Sequence, residues 1–254
     1  MLEHPNEAFD YYQNQGITQL VCEEKHMGSR AVVIICKDES VSHERFGLTN
    51  KNIGTCFTRT GRRFFDTDAL ETNFLQRIQQ AVTKSDLWNT LETDWIVLDS
   101  ELMPWSARAQ SLLQEQYAAV GAAANTSLNA TIKTLEMAQK NGVDIGDQLI
   151  KHQARHKRMQ HYQKAYRHYC WPVTDITDFK LAPFHLMASE GAVHHNKTHH
   201  WHLETLAKLC AADPDLLFIT DSQTVDLTDD NSVAQATAWW EEKTERGGEG
   251  MVVK

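Results

Sequence analysis

From Asp68 to Thr83 the apolar residues Leu70, Phe74, Ile78 and Val82 stand four apart, the stripe of an amphipathic helix. Elsewhere in the first hundred residues the pattern tightens. Ala31 to Cys36 (AVVIIC) is an unbroken, largely β-branched run suited to a buried strand, and Trp95 to Leu98 (WIVL) is another. Leu20 to Cys22 and Thr55 to Thr60 predict shorter strands, and Asn6 to Gln15 a short amphipathic helix. From Trp105 to Cys170 the texture turns Ala-, Gln- and Lys-rich, with breaks near AANTS and NGVD. Three helices fit this stretch: Ser106 to Ala123, Leu128 to Lys140 and Ile145 to Tyr169. In the last, Met159, Tyr162, Tyr166 and Tyr169 step by three or four and are expected to share one face. After Pro172 mixed structure resumes, with strands near Phe179 to Leu181 and Leu216 to Ile219. Helices are expected around His200 to Cys210 and Asn231 to Glu245, the second stopped by Gly247 and Gly248. The closing GMVVK starts a further strand. The pattern predicts an α+β core from residues 1–104 and 171–254, carrying a helical insert over 105–170.

At 254 residues the chain can bury a sizeable core. It carries 25 Lys and Arg against 34 Asp and Glu, a net charge of −9, which argues against coating nucleic acid everywhere but leaves room for a local basic groove. One locality stands out. From Lys151 to His168 (KHQARHKRMQHYQKAYRH) there are six Lys or Arg and no acid. It is read first as a solvated face over a Met-Tyr core stripe, with an RNA-facing surface as the alternative. No stretch reaches membrane-span length and the start lacks a signal-peptide pattern, so the chain is expected to be cytoplasmic, with no membrane partner. The five cysteines are scattered and are expected to be reduced core thiols.

Several site patterns are missing: no G-x-x-x-x-G-K-[ST], no G-x-S-x-G, no H-E-x-x-H and no Cys-x-x-Cys. What remains is Lys25, placed where an apolar run ends, directly after Glu23 and Glu24 and three residues before Gly28. An amine nucleophile must shed its proton, which adjacent carboxylates oppose. On a strand Glu24 should face away from Lys25 while Glu23 shares its face, so a cation, Arg30 or a bound metal, is needed to offset Glu23. Gly28 permits a tight turn or a close approach to a ligand. Taken alone, Lys25 equally suits an exposed strand end. AVHHNKTHHWH (Ala192 to His202) places His195 and His199 four apart, a metal-ligand spacing if helical, although a polar loop leading into a helix is the expected arrangement.

EEKHMGSR resembles motif I, Lys-x-Asp-Gly-x-Arg, of the covalent nucleotidyltransferases, the superfamily of polynucleotide ligases and capping enzymes. Its other elements follow in order. TRTGRRF (Thr58 to Phe64) is similar to the arginine-bearing motif, and WIVLDSEL (Trp95 to Leu102) to the Asp-Gly-Glu motif. DFKLAPFHLMA (Asp178 to Ala188) is similar to the segment whose aromatic stacks on the base, and GGEGMVVK (Gly247 to Lys254) to the Glu-Gly motif. The wording is closer still to the ligase-like adenylyltransferase module of bacterial polynucleotide kinase-phosphatase, an RNA repair family. The similarity takes in EEKHMGSRAV, TRTGRRFF and the helical insert, and covers essentially the whole chain.

The resemblance implies a ligase core of antiparallel sheets, ATP-grasp-like in plan. It implies that Lys25 attacks the α-phosphorus of ATP and holds AMP covalently. Glu23 would lie against the adenine edge and Phe184 would stack on the purine, while Glu101 would bind the ribose. Arg30 and Arg59 would contact sugar and phosphate or the incoming 5′-phosphate, and Glu249 would help hold Mg²⁺ or Mn²⁺. The chemistry suits these groups: in-line displacement at phosphorus needs cations where charge gathers, an aromatic platform tolerates a base, and lone carboxylates suit hard cations. Implied partners are RNA with 5′-phosphate and 3′-hydroxyl ends, kinase and phosphatase domains of a parent chain, and an RNA methyltransferase. Alternatives are a capping-type guanylyltransferase, a DNA ligase, or a nucleotide- or RNA-binding platform with little turnover.

Departures are local except at the end. Met27 stands where motif I usually has aspartate, and Ser100 where the Asp-Gly-Glu motif has glycine. The superfamily adds a lysine-bearing strand, motif V, and this branch a helical module, after the Glu-Gly motif. The chain is therefore expected to be a fragment with a core incomplete at its C-terminus, and Lys254 is a candidate phosphate contact.

Overall fold

The computed structural model describes residues 4–49, 52–108 and 119–254. The helices and strands are, in chain order, α1 (Pro5–Asn14), β1 (Gln19–Glu24), β2 (Ser29–Cys36), α2 (Glu39–Phe46), β3 (Gly54–Thr58), α3 (Asp68–Lys84), α4 (Leu87–Thr90), β4 (Trp95–Met103), α5 (Ala119–Lys140), α6 (Gln148–Tyr169), β5 (Lys180–Ser189), β6 (Ala192–Val193), α7 (His199–Ala212), β7 (Ser222–Asp226), α8 (Asp230–Glu245) and β8 (Met251–Val253). They fall into two compact units, 1–104 with 173–254, and 105–172.

The first unit holds two antiparallel sheets, of order β3-β2-β4-β5-β6 and β7-β1-β8. The larger is covered by α3, whose stripe of Phe74, Leu75, Ile78, Ala81 and Val82 is buried, and by α7, which packs on β5 and α3 through Leu203, Leu206 and Leu209. Burying each such large side chain contributes about 1.5–3 kcal/mol. Arg77 of α3 and Asp213, just beyond α7, form a bidentate pair with contacts of 2.6 and 2.9 Å that ties the two helices together. The smaller sheet buries Leu20 and Cys22 of β1 and Val225 of β7 against Phe9 of α1 and Ala236 of α8. Side chains alternate along a strand, so Glu23, between Cys22 and Glu24, points to the other face.

The structure differs from sequence expectation where local pattern misleads. The break expected at AANTS does not occur: α5 runs through it, because Thr126, Thr131 and Thr134 turn their hydroxyls back onto the carbonyls of Ala122, Ser127 and Ala130 and stay within the helix. Residues 109–118 of the expected Ser106–Ala123 helix lie outside the described residues. Leu216–Ile219 is not a strand. Leu217 makes an isolated parallel bridge with Leu181, and the neighbouring carbonyls and amides complete it. The strand of that region is β7, whose SQTVD buries only Val225 and so carries no apolar run. The helix α2 is likewise almost stripeless. It is held by its ends, an Asp38 cap on the Val41 N–H and a left-handed Gly47 with φ of 66°.

β5 extends far beyond Phe179–Leu181, straight through Pro183. Proline is tolerated there because β6 pairs only with Ala188 and Ser189 and the Leu217 bridge reaches only Leu181, leaving Pro183 without a strand partner on that side among the described residues. Four of the five cysteines are buried and none is bridged. Among the described residues no helix is long and apolar enough to cross a membrane.

In the second unit α5 and α6 pack together at Gly121, where a Cβ would stand 3.3 Å from Gln163 and 3.6 Å from Met159. His156 adds a hydrogen bond of 2.8 Å to Asn125. Met159 and Gln163 thus face α5, but Tyr162 does not share that face and is 41% exposed. The side chain of Tyr166 lies outside the described residues.

Candidate active site

Lys25 is the first residue after β1, and its backbone N–H donates to the Gly250 carbonyl at 3.0 Å, holding it beside the entry to β8. Gly250 has φ of 120°, and a Cβ there would also press on the Trp240 indole at 3.2 Å, so glycine is required on both counts. That backbone delivers Glu249 to Lys25, and the two side chains form an ion pair, each with some access to solvent.

Gly28 serves a different purpose from the one the sequence suggests. Its Cβ would lie 2.6 Å from the Leu102 carbonyl oxygen and 2.9 Å from Glu101 Cγ, so its bareness lets the loop lie against β4, with no positive φ involved. The Gly28 N–H donates to Glu101 Oε1 at 3.1 Å. Phe184 is aimed by irregular pairing: Ser100 pairs with Pro183 and Asp99 with His185, which leaves Phe184 as the extra residue of a bulge.

These elements enclose a cavity of about 250 Å³ lined by Glu23, Lys25, Glu101, Phe184 and Lys254, together with Glu24, His26, Thr220 and Val252. Five of the eight sequence candidates therefore meet in one place. Glu249 adjoins through Lys25. Arg30 does not offset Glu23 as expected; it is clamped to Asp99 of β4 at 2.7 and 2.5 Å. Arg59 is exposed on the turn after β3, and no hydrogen bond or ion pair ties it to a described residue.

Glu23, only 3% exposed, is met instead by the Lys254 ammonium at 2.5 Å and by the His199 imidazole at 2.5 Å. Burial opposes the charge of Glu23, but the hydrogen bonds from His199 and Lys254 outweigh it and hold the carboxyl below its ordinary range. The Lys254 ammonium also stands 5.1 Å over the Phe184 ring. His199, which the sequence placed only in a polar loop or a metal pair, is the residue of this site that pattern reasoning missed. Thr198 caps α7 and starts the helix at His199, so His195 lies outside it and the two do not form a helical i, i+4 pair. Among the described residues no group of three or more His, Cys, Asp or Glu is able to hold a metal.

Glu101 behaves oppositely to Glu23. Burial, with the charges of Glu249 and Asp99, pushes it up to about 7 against the Gly28 hydrogen bond and Lys25. Between its ordinary value of 4.5 and about 7 the folded state binds the extra proton, so stability falls as pH rises through that window. Glu101→Gln can keep the Gly28 hydrogen bond while removing the charge. It should raise the Tm by roughly 4–8 °C at pH 8.5, at about 2–4 °C per kcal/mol for a chain of this length, and change it little at pH 5. Equal shifts at both pH values in thermal unfolding would reject the assignment.

The whole chain, residues 1–254, matches a family model described as the PNKP adenylyltransferase domain, ligase domain. Among solved structures it is similar to a chain of a Pnkp1/Rnl/Hen1 complex, with 14% identity and a TM-score of 0.63, over 99% of this chain and 66% of that one. It is similar also to a chain of a Pnkp1/Rnl/Hen1 RNA repair complex, with 16% identity, a TM-score of 0.59 and the same coverage. At these identities the likeness is one of fold, an antiparallel ligase fold, and the chain spans just under two thirds of each relative. No curated protein matches it. Matched from end to end, the chain belongs to the PNKP adenylyltransferase, or ligase, domain family and is an enzyme of the polynucleotide ligase and nucleotidyltransferase class.

Proposed function

We propose that this domain attaches AMP from ATP to Lys25 and passes it to the 5′-phosphate of an RNA, which a 3′-hydroxyl then attacks to seal the strand. The observation that carries the proposal is the single cavity shared by Glu23, Lys25, Glu101, Phe184 and Lys254, with Glu249 paired to Lys25. Lys25, which has access to solvent, gives up a proton to water, and its Nζ lone pair attacks the α-phosphorus in line. The Nζ–P bond forms as the bond to the bridging oxygen breaks and pyrophosphate leaves. In the second step an RNA phosphate oxygen displaces Lys25, and in the third the 3′-oxygen displaces AMP.

Phe184 stacks the purine. Its ring is covered by the Lys254 ammonium, a contact worth about 0.5–1 kcal/mol at an exposed site, and stacking a base is worth about 1–3 kcal/mol. A purine therefore outcompetes the ammonium for the ring face, and Lys254 keeps its pair with Glu23. Glu101 receives the ribose and Glu23 the adenine edge, while Arg30 and Arg59 meet sugar, phosphate or the incoming RNA end. A divalent cation fits the donors. Glu249, whose charge is felt at Glu101, is a hard ligand, and Mg²⁺ or Mn²⁺ is ordinarily held by one or two carboxylates completed by phosphates and water. When bound, the ion would neutralise charge on the phosphate oxygens.

RNA is favoured over DNA because solved relatives of this fold come from an RNA repair complex. Kinase and phosphatase domains that prepare the ends, and a methyltransferase partner, are proposed on the same footing. Incubation with ATP and Mg²⁺ or Mn²⁺ should add the mass of AMP to the intact protein, and GTP should add nothing. Labelling by GTP alone would make it a capping-type enzyme, and nucleotide binding with no adduct would make it a binding platform.

A further inference from the structure

Residues 105–172 hold nine Lys or Arg and four Asp or Glu, a net charge of +5 in a chain whose total is −9, which leaves −14 for the remainder. Helix α6 concentrates that excess. Its inward side, His152, His156, Met159 and Gln163, follows the i, i+4, i+7, i+11 line that packs on α5. Lys151 and Arg158, with Arg155 just behind them, form one edge of the outward half, and Lys157 and Lys164 form the other edge, all exposed. Lys151 pairs with Asp147 at 2.9 Å, both well exposed, which holds little energy. The side chains of Arg155, Lys157, Arg158 and Lys164 make no ion pair or hydrogen bond with any described residue, and α6 itself contains no acid. Self-repulsion in such an array is a cost to the free protein that a polyanion removes.

We infer that the outward half of α6 is a binding face for the RNA phosphate backbone, resting on the RNA specificity proposed above. The cations from Lys151 to Lys164 span about 20 Å at 1.5 Å per residue, a length along which one strand at about 3.4 Å per phosphate presents about six charges. Tyr162, expected in the core, instead stands 41% exposed on the side of Arg155 and Arg158. An acidic protein partner fits less well. Protein interfaces bury an apolar centre, and Ile150 and Tyr162 are the only exposed large hydrophobic residues among the described part of α6.

The test uses the full chain and a fluorescent, 5′-phosphorylated single-stranded RNA, with affinity read by anisotropy across a salt series and without ATP. Replacing Arg155, Lys157, Arg158 and Lys164 together by glutamine, a good helix former, should weaken binding at least tenfold at low salt. It should also flatten the slope of log affinity against log salt by about 0.7 per lost contact, up to about 3. Far-ultraviolet circular dichroism should be unchanged. AMP attachment, read by intact mass, should also be unchanged, so failure of this face and failure of the Lys25 chemistry are separately visible. Unaltered affinity and slope in the variant would overturn the inference, as would absence of RNA binding in the wild type. Equal competition by polyglutamate of matched charge would overturn it too, by showing that any polyanion suffices.

Discussion

Lys25→Ala should abolish the proposed AMP attachment while leaving the fold almost unchanged. The side chain is 34% exposed and its ion pair with Glu249 is 25% exposed on the other side, so losing the pair should cost no more than about 1 kcal/mol of stability. On the proposed chemistry the loss should be complete, because Lys25 Nζ is the atom assigned to hold AMP. The second amine of the cavity, Lys254, is engaged by Glu23, and it is the control that matters. If intact mass and peptide mapping find AMP on Lys254 in the variant, or equal labelling of the variant and the wild type, the nucleophile has been misassigned. Lys25→Arg should be equally inactive: a guanidinium keeps the charge but does not deprotonate in proteins, so it offers no lone pair to phosphorus.

Glu23→Ala should destabilise the protein strongly at neutral pH. Removing one member of a buried pair leaves the other charge uncompensated and typically costs 3–5 kcal/mol. Lys254 is 28% exposed and retains a path to water, so about 2–3 kcal/mol is expected here. The effect must depend on pH. The Glu23 carboxyl is held below its ordinary 4.5, so its contribution is fully present above that value. As pH falls the unfolded chain takes up the proton first, and the contribution is lost by the time pH drops through the folded value. Denaturant unfolding at pH 7 and pH 3.5 checks this. A difference between wild type and variant of the same size at both would refute the ion-pair account, pointing instead to lost packing.

Some of this protein was legible residue by residue. The α3 stripe, the β2 run and the glycines around Glu249 are patterns over a few positions, because helices and strands are spaced by local geometry. The order of the motif-like segments was equally readable, and it brought Glu23, Lys25, Glu101, Phe184 and Lys254 forward as candidates before any fold was known. The helix over the AANTS stretch was not, since Ser and Thr either break a helix or bond within it, and only neighbours decide. Nor was β7, which shows a single buried side chain.

What holds the site belonged entirely to tertiary structure. His199 reaches Glu23 across 176 positions, Arg30 chooses Asp99 over Glu23, and the bulge that frees Phe184 exists only because β4 and β5 pair out of step. Tyr162 left the core for the same kind of reason, since the position of α5 selects which side of α6 is buried. The sequence by itself determined most of the candidate residues and the strongly periodic helices and strands, because side-chain type and period are local properties. The partner of each charge was decided by the fold alone, because many oppositely charged residues are equivalent in one dimension, and only packing brings one of them within hydrogen-bonding distance.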